Sequence, residues 1–127
     1  ADIKSAVMNQ DGKSATLTAP NGPSQEEVLV LAMREAAVRP GQVKALECHG
    51  TGTALGDPIE VGAIKAALGG KSDEAPNMYL CAGKSNHGHL EGAAGFAGLM
   101  KVFSCLTHHE VPPNIHYEKL NPHMSLD

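Results

Sequence analysis

The order of apolar and polar segments along the chain constrains its fold more than any other feature of the sequence. Three short apolar segments have the length of β-strands, at residues 3–8, 43–48 and 78–81. Apolar residues at helical spacing predict helices that begin at Ser24, at Asp57 and at about Glu91. Strands and helices that alternate along a chain are typical of an α/β layer fold, and we predict that fold class here.

Two of the predicted helices carry sequence signals at their starts. Ser24 with Glu27 three residues later has the pattern of a capping box. Asp57 has the pattern of an N-cap residue, with Pro58 at the first helical position. The helix that follows is expected to end at the glycine pair of residues 69–70.

The last predicted helix, residues 91–107, contains three interior glycines. Each costs roughly 1 kcal/mol relative to alanine in a helix interior. Close packing of neighbouring backbones against such small residues would offset this cost, so we predict a central helix enclosed by protein. Residues 71–77 are predicted to form a surface loop, and the chain from Val111 onward is predicted to be extended and irregular.

Length and charge exclude several classes of protein. The 127 residues suffice for one domain or for part of one, and the absence of a starting Met fits a chain cut from something longer. Lys and Arg number 10 against 14 Asp and Glu, without a basic cluster, which disfavours nucleic acid and anionic membranes as partners. Without a long apolar segment or a signal peptide, we expect a cytoplasmic protein or one of an organelle such as the plastid.

The three cysteines are Cys48, Cys81 and Cys105. An odd number without a CxxC pair speaks against a disulfide scaffold and a structural zinc site, and favours a reducing compartment. Free cysteines are usually buried, so we expect all three in the core, with Cys48 facing away from His49 because adjacent strand residues point to opposite faces. The seven histidines lack carboxylate or cysteine partners at ligand spacing, so no metal site is predicted.

Two glycine-rich loops carry the candidate chemistry. Residues 49–53 (HGTGT) and 84–89 (KSNHGH) each follow a predicted strand and precede a helix. Ligands of α/β folds bind at the carboxyl ends of strands, so one interpretation is a site assembled from both loops. The other is that these histidines only cap helices or bind backbone groups. Neither loop has the order of a nucleotide-binding motif, so nucleotide binding is not expected.

The same loops resemble a known family. Residues 49–60 (HGTGTALGDPIE) closely resemble the first histidine motif of β-ketoacyl synthases of the modular polyketide synthase type, and residues 84–91 (KSNHGHLE) resemble the second. Further segments follow in the family's order at residues 9–12, 17–23, 112–113 and 121–123. The resemblance covers essentially all of residues 1–127. It implies a thiolase-like fold of which this chain is the C-terminal part, with the nucleophile-bearing N-terminal part absent.

The resemblance also implies an activity. In this family an acyltransferase catalyses decarboxylative Claisen condensation, in which an acyl group on an active-site cysteine is extended by malonyl carried on acyl carrier protein, in polyketide or fatty acid biosynthesis. It implies no directly bound cofactor, since the phosphopantetheine arm of the carrier protein presents the substrate. The implied partners are acyl carrier protein, malonyl and acyl thioesters, the adjoining N-terminal part and a second copy in a homodimer. Because the motif of the nucleophilic cysteine is missing, the isolated chain is expected to be inactive.

Three residues match the family's catalytic groups. His49 and His89 correspond to its two histidines, and Lys84 to the lysine that would supply positive charge behind the site. Two neutral imidazoles that donate N–H bonds to one point would stabilise the enolate oxygen left by decarboxylation. A helix N-terminus directly after His89 is expected to keep that ring neutral.

Three further residues match supporting positions and keep two readings each. Glu60 corresponds to an acidic residue of the family's supporting network, although its place at the third helical position also fits a capping box. Thr51 and Thr53 correspond to threonines that bind the phosphopantetheine arm, or they only satisfy backbone groups.

The alternative hypothesis for the chain is a non-catalytic homologue that binds acyl chains or a partner domain. A third is a complete small metal-binding protein.

Overall fold

The computed structural model describes residues 1–14, 16, 19–69 and 78–126. Its regular elements, in chain order, are α1 (Gly22–Ala36), a 3-10 turn (Pro40–Gln42), β1 (Ala45–Glu47), α2 (Gly56–Leu68), β2 (Tyr79–Cys81), α3 (Lys84–His87), a second 3-10 turn (Glu91–Ala93) and α4 (Ala94–His108). Strands and helices alternate from β1 to α3, and two helices then follow each other, so the structure confirms the predicted mixed α/β class but not a strict alternation. The loop predicted at residues 71–77 lies outside the described residues, as do residues 17 and 18.

The strand predicted at residues 3–8 is wrong. This segment is irregular, and its apolar side chains Ile3 and Met8 are 71% and 93% exposed. A strand needs a hydrogen-bonded neighbour, and no described residue supplies one. The segment instead lies along α1, where the Ser5 hydroxyl donates to the Ala32 carbonyl over 2.9 Å.

Both predicted N-caps are displaced by a few residues. Helix α1 begins at Gly22, and its N-cap is Asn21, whose side-chain oxygen accepts the Ser24 N–H over 3.3 Å. Ser24 is therefore the residue that is capped, because Asn21 is the side chain within reach of the free N–H groups of the first turn. Helix α2 begins at Gly56 with Leu55 at the N-cap, so Asp57 lies in the first turn.

The end of α2 agrees with the prediction, since Leu68 is followed by Gly69 as C-cap.

Strands β1 and β2 pair in parallel and form the only sheet among the described residues. Leu46 lies opposite Leu80 and Glu47 opposite Cys81, and the pairing extends one residue further because the Cys48 N–H donates to the Cys81 carbonyl over 2.7 Å. A parallel register places the carboxyl ends of both strands at one edge. The buried apolar residues are Ala63, Ile64 and Leu68 of α2, which packs mainly against α1, and Cys81 of β2, all at most 7% exposed.

Helix α4 differs from the prediction in its start and in its burial. It begins at Ala94, after the 3-10 turn, and none of its residues is buried. Phe96 is 73% exposed and Leu106 53% exposed. No described residue covers that apolar face, so the 127 residues do not by themselves enclose the helix.

The expectation of three core cysteines holds only for Cys81, since Cys48 and Cys105 are half-buried.

The segment after α4 has no regular structure, as predicted, yet it is bound to the sheet. The Asn114 side chain accepts the Ala82 N–H over 2.9 Å and donates to the Leu80 carbonyl over 3.2 Å. One amide thereby satisfies two backbone groups on the open edge of β2, as a neighbouring strand would. Among the described helices none has the length and apolar character needed to cross a membrane.

Candidate active site

The parallel pairing of β1 and β2 brings the two histidine loops together. His49 follows β1, and His89 follows the short helix α3 that leaves β2. Their ring centroids are 5.7 Å apart and their planes cross at 85°, an edge-to-face arrangement. Both side chains are exposed. The two loops therefore lie side by side at the carboxyl end of the sheet.

The His49 loop is held by a carboxylate from α2. Glu60 Oε1 accepts the His49 N–H over 2.6 Å, and Oε2 accepts the Gly50 N–H over 2.9 Å. Helix α2 has no side-chain cap hydrogen bond, so Glu60 does not act as the capping-box residue that its sequence position allowed. The carboxylate instead ties the loop backbone to the helix.

Gly50 lets the two loops approach each other closely. Its φ of +50° is in the left-handed region, and a Cβ atom on this residue would lie 2.6 Å from the Ala82 Cβ. Any larger residue would push the His49 loop away from the end of β2. The closeness of the two loops therefore depends on glycine at this position.

The remaining part of the first loop is closed by side chains that bind backbone groups. Asp57 Oδ1 accepts the Gly52 N–H over 3.1 Å, and the Thr53 hydroxyl oxygen accepts the Gly56 N–H over 3.0 Å. Of the two roles considered for Thr53, this contact is the hydrogen bond to a backbone group. Thr51 differs, because it is half-buried and lines an open groove of about 630 Å³ together with His49 and Glu60.

The orientation of His89 is defined by one hydrogen bond. The Glu91 N–H donates to His89 Nδ1 over 2.9 Å, so Nδ1 is an acceptor and carries no proton. A neutral ring in this arrangement has its hydrogen on Nε2. Helix α4 begins only at Ala94, so the element next to the ring is the backbone N–H of Glu91, which leaves Nε2 as the ring nitrogen that faces away from this contact.

Lys84 lines the same site as the two histidines. It is half-buried and is the first residue of α3. A cavity of about 380 Å³ is lined by both Lys84 and His49, and one of about 600 Å³ by Lys84, Thr51 and His89. The structure thus brings the predicted residues to one edge of the sheet.

Cys48 is unsuited to nucleophilic chemistry although it adjoins His49. Burial raises the pKa of its thiol to about 12, and the nearby Glu60 carboxylate adds to the effect. Since the thiolate is the reactive form, this group is inert at neutral pH. Burial also raises the pKa of the Cys81 thiol. Within the described residues no three or more His, Cys, Asp or Glu side chains are arranged to hold a metal ion.

An ion pair beneath the site was not predicted from the sequence. Glu47 and Lys101 are joined at 2.8 Å, with side chains only 15% and 10% exposed, and Glu47 also accepts the Gly83 N–H over 2.6 Å. The sequence patterns assign Glu47 to a strand and Lys101 to a helix, but they do not indicate that the two side chains meet. The one hint in the sequence is an acidic residue at the end of an otherwise apolar strand, because a buried charge there requires a partner.

Comparison with known proteins identifies the family. The model of the β-ketoacyl synthase C-terminal domain matches residues 1–118. The chain belongs to the β-ketoacyl synthase family. Erythronolide synthase EryA3 of Saccharopolyspora erythraea is 43% identical over 127 residues, which are 100% of this chain and 4% of that protein. Polyketide synthase GfsA of Streptomyces halstedii is 44% identical over 125 residues, 98% of this chain and 2% of that protein.

Solved structures agree with the family and confirm the predicted thiolase-like fold. The oxazolomycin ketosynthase domain OzmH KS7 of Streptomyces albus JA3453 matches with a TM-score of 0.87 and 37% identity, over 93% of this chain and 21% of that one. The ketosynthase from module 6 of the bacillaene synthase of Bacillus subtilis 168 matches with a TM-score of 0.85 and 34% identity, over 94% and 21%. The chain therefore spans about a fifth of the solved ketosynthase chains and a much smaller share of the curated relatives.

Proposed function

We propose that this domain supplies the histidine-bearing part of a ketosynthase active site that performs decarboxylative Claisen condensation. The observation that carries the proposal is the histidine pair, with ring centroids 5.7 Å apart, in which the Nδ1 atom of His89 is occupied by the Glu91 N–H. That contact leaves the Nε2–H of His89 as the hydrogen-bond donor toward a substrate.

The chemistry needs donors at the point where negative charge develops. In a malonyl thioester the bond to the carboxylate breaks, CO₂ leaves, and its electron pair forms an enolate whose oxygen becomes negative. N–H groups of His49 and His89 stabilise that oxygen. The enolate carbon then attacks the acyl thioester on the cysteine of the N-terminal part, a carbon–carbon bond forms, and the cysteine thiolate is released.

The other residues act on this pair indirectly. Lys84, the half-buried start of α3, contributes positive charge beside both cavities of the site. Glu60 holds the backbone that carries His49. We propose that Thr51 binds the phosphopantetheine arm, because it lines the groove that leads to His49. Thr53 keeps a hydroxyl hydrogen for the same arm while its oxygen accepts the Gly56 N–H.

The partners follow from the reaction and from the exposed surface. The substrates are malonyl and acyl thioesters on acyl carrier protein, in polyketide assembly. The adjoining ketosynthase N-terminal part, which bears the nucleophilic cysteine, covers the apolar face of α4 that includes Phe96 and Leu106. A homodimer of the complete domain is part of the same proposal, and its support is the resemblance to β-ketoacyl synthases.

The experiment compares two half-reactions in the complete ketosynthase. His49→Ala and His89→Ala are expected to leave acylation of the nucleophilic cysteine nearly unchanged and to lower malonyl decarboxylation by about 10² to 10³-fold, the loss typical of removing one donor to an oxyanion. Intact-protein mass spectrometry measures the first and CO₂ release the second. His108→Ala, at the exposed end of α4, is the matched control. Equal loss of both half-reactions would contradict the proposal, since it would assign the histidines to folding or to activation of the nucleophile.

A further inference from the structure

Glu47 connects three elements of the domain beneath the active site. It is the last residue of β1, and its side chain is 15% exposed. Oε1 accepts the Gly83 N–H over 2.6 Å, and Oε2 accepts from Lys101 Nζ on α4 over 2.8 Å. Both carboxylate oxygens are therefore used, each by a different element.

The contact with Gly83 lies directly before the second catalytic loop. Gly83 is buried and is followed by Lys84, the first residue of α3. A Cβ atom on Gly83 would lie 3.0 Å from Glu47 Oε1 and 3.0 Å from Lys101 Cδ, so the backbone here is tightly enclosed. A buried N–H that loses its acceptor is costly, and the turn would move to find another.

Helix α4 leaves space for the Glu47 side chain at one of its glycines. A Cβ atom on Gly98 would lie 3.2 Å from Glu47 Cγ, so glycine at this position lets the helix approach the end of β1. Glu47 and Gly98 also line the cavity of about 380 Å³ that contains His49 and Lys84. The ion pair is thus adjacent to the reacting groups without reaching them.

Stability alone explains this pair poorly. A buried ion pair gains little net stability, because desolvation of both charges offsets their attraction. What Glu47 does provide is a fixed acceptor for the backbone that leads to Lys84 and, after α3, to His89. Misplacement of a catalytic group by about 1 Å can lower a rate by about 10²-fold.

We propose that Glu47 is a positioning residue of the ketosynthase reaction: its carboxylate fixes the Gly83 N–H and thereby holds Lys84 and His89 opposite His49. The positive charge of Lys101 offsets the cost of burying the Glu47 carboxylate. This inference rests on the proposed function, and it assigns to a residue outside the histidine motifs the task of aligning the two loops.

Two double variants of the complete ketosynthase separate positioning from simple support. Glu47→Gln with Lys101→Met removes both charges and keeps an amide oxygen for the Gly83 N–H. Glu47→Leu with Lys101→Met removes both charges and also the acceptor, at similar volume. Both variants lose the ion pair equally, so they differ in the one hydrogen bond that the inference depends on.

The readouts are malonyl decarboxylation, acylation of the nucleophilic cysteine, hydrogen exchange at Gly83 and the unfolding midpoint. We expect the Gln variant to decarboxylate within about threefold of the unmodified enzyme and the Leu variant to lose about 10-fold to 10²-fold, with acylation retained in both. The Gly83 amide should exchange faster only in the Leu variant. Restored decarboxylation in the Gln variant is the rescue that a purely electrostatic support would not produce.

Equal decarboxylation in the two variants would overturn the inference, whether both are active or both impaired. Loss of acylation along with decarboxylation in the Leu variant would overturn it as well, because it would point to a general structural role. Failure of the proposed function would give a different result, because the unmodified ketosynthase would then release no CO₂ from malonyl thioester. The positioning role of Glu47 would be refuted together with the proposed function in that case.

Discussion

The substitution Glu60→Gln tests whether the carboxylate of this α2 residue positions His49. Glu60 accepts two backbone N–H groups, from His49 over 2.6 Å and from Gly50 over 2.9 Å. Glutamine keeps one acceptor oxygen but presents an NH₂ group to the other N–H. One of the two hydrogen bonds is therefore lost, and two donors face each other in its place.

The magnitude follows from the kind of bond that is lost. A hydrogen bond to a charged group contributes about 1.5–3 kcal/mol. Because His49 is exposed and Gly50 is half-buried, water compensates part of this, and we expect a loss of about 1–2 kcal/mol in the free energy of unfolding. The loop would shift with it, and decarboxylation is expected to fall by about 10-fold to 10²-fold.

The assay uses the complete ketosynthase with Glu60→Gln, Glu60→Ala and the control Glu35→Gln, an exposed position on α1. Decarboxylation, acylation of the cysteine and the denaturant midpoint are measured for each. Alanine leaves both N–H groups without the carboxylate, so its loss should exceed that of glutamine. Decarboxylation rates of Glu60→Gln and Glu60→Ala equal to that of the control would refute the reasoning, because the His49 loop would then keep its place without Glu60.

Three further predictions concern a thiol, a glycine and the isolated chain. Because the pKa of Cys48 is raised to about 12, its alkylation at pH 8 in the native ketosynthase should be far slower than after unfolding in urea. Because the pKa of this thiol is higher in the folded protein than in the unfolded chain, its contribution to the free energy of unfolding is complete below pH 9.0 and is lost as the pH rises toward 12. Cys48→Ala should lack this part of the pH dependence. Gly50→Ala should lower the unfolding midpoint and decarboxylation together, since a Cβ would lie 2.6 Å from Ala82 Cβ, whereas Gly62→Ala, which meets no atom within 4 Å, should do neither. The isolated chain should form no carbon–carbon bond, take no stable acyl label and bind a hydrophobic dye; strong hydrogen-exchange protection of residues 94–108 in monomeric chain would contradict the expected marginal fold.

Local errors in the sequence-based predictions share one cause. The strand predicted at residues 3–8 had the right composition but lacks a neighbouring strand among the described residues. Ser24 had the pattern of a cap, yet Asn21 is the side chain that reaches the free N–H group. Both patterns are short, and a short pattern is decided by what lies next to it in space.

The sequence by itself determined the order β1, α2 and β2, the end of α2 at its glycine and the family, through the two histidine motifs. These features are local or are carried by the order of residues along the chain, so they need no knowledge of contacts. Only the tertiary structure decided that His49 and His89 face each other, that Glu91 sets the tautomer of His89, and that Glu60 and Glu47 each hold one loop. The physical reason is that the parallel pairing of β1 and β2 joins segments distant in sequence, and hydrogen-bond partners exist only once that pairing has formed.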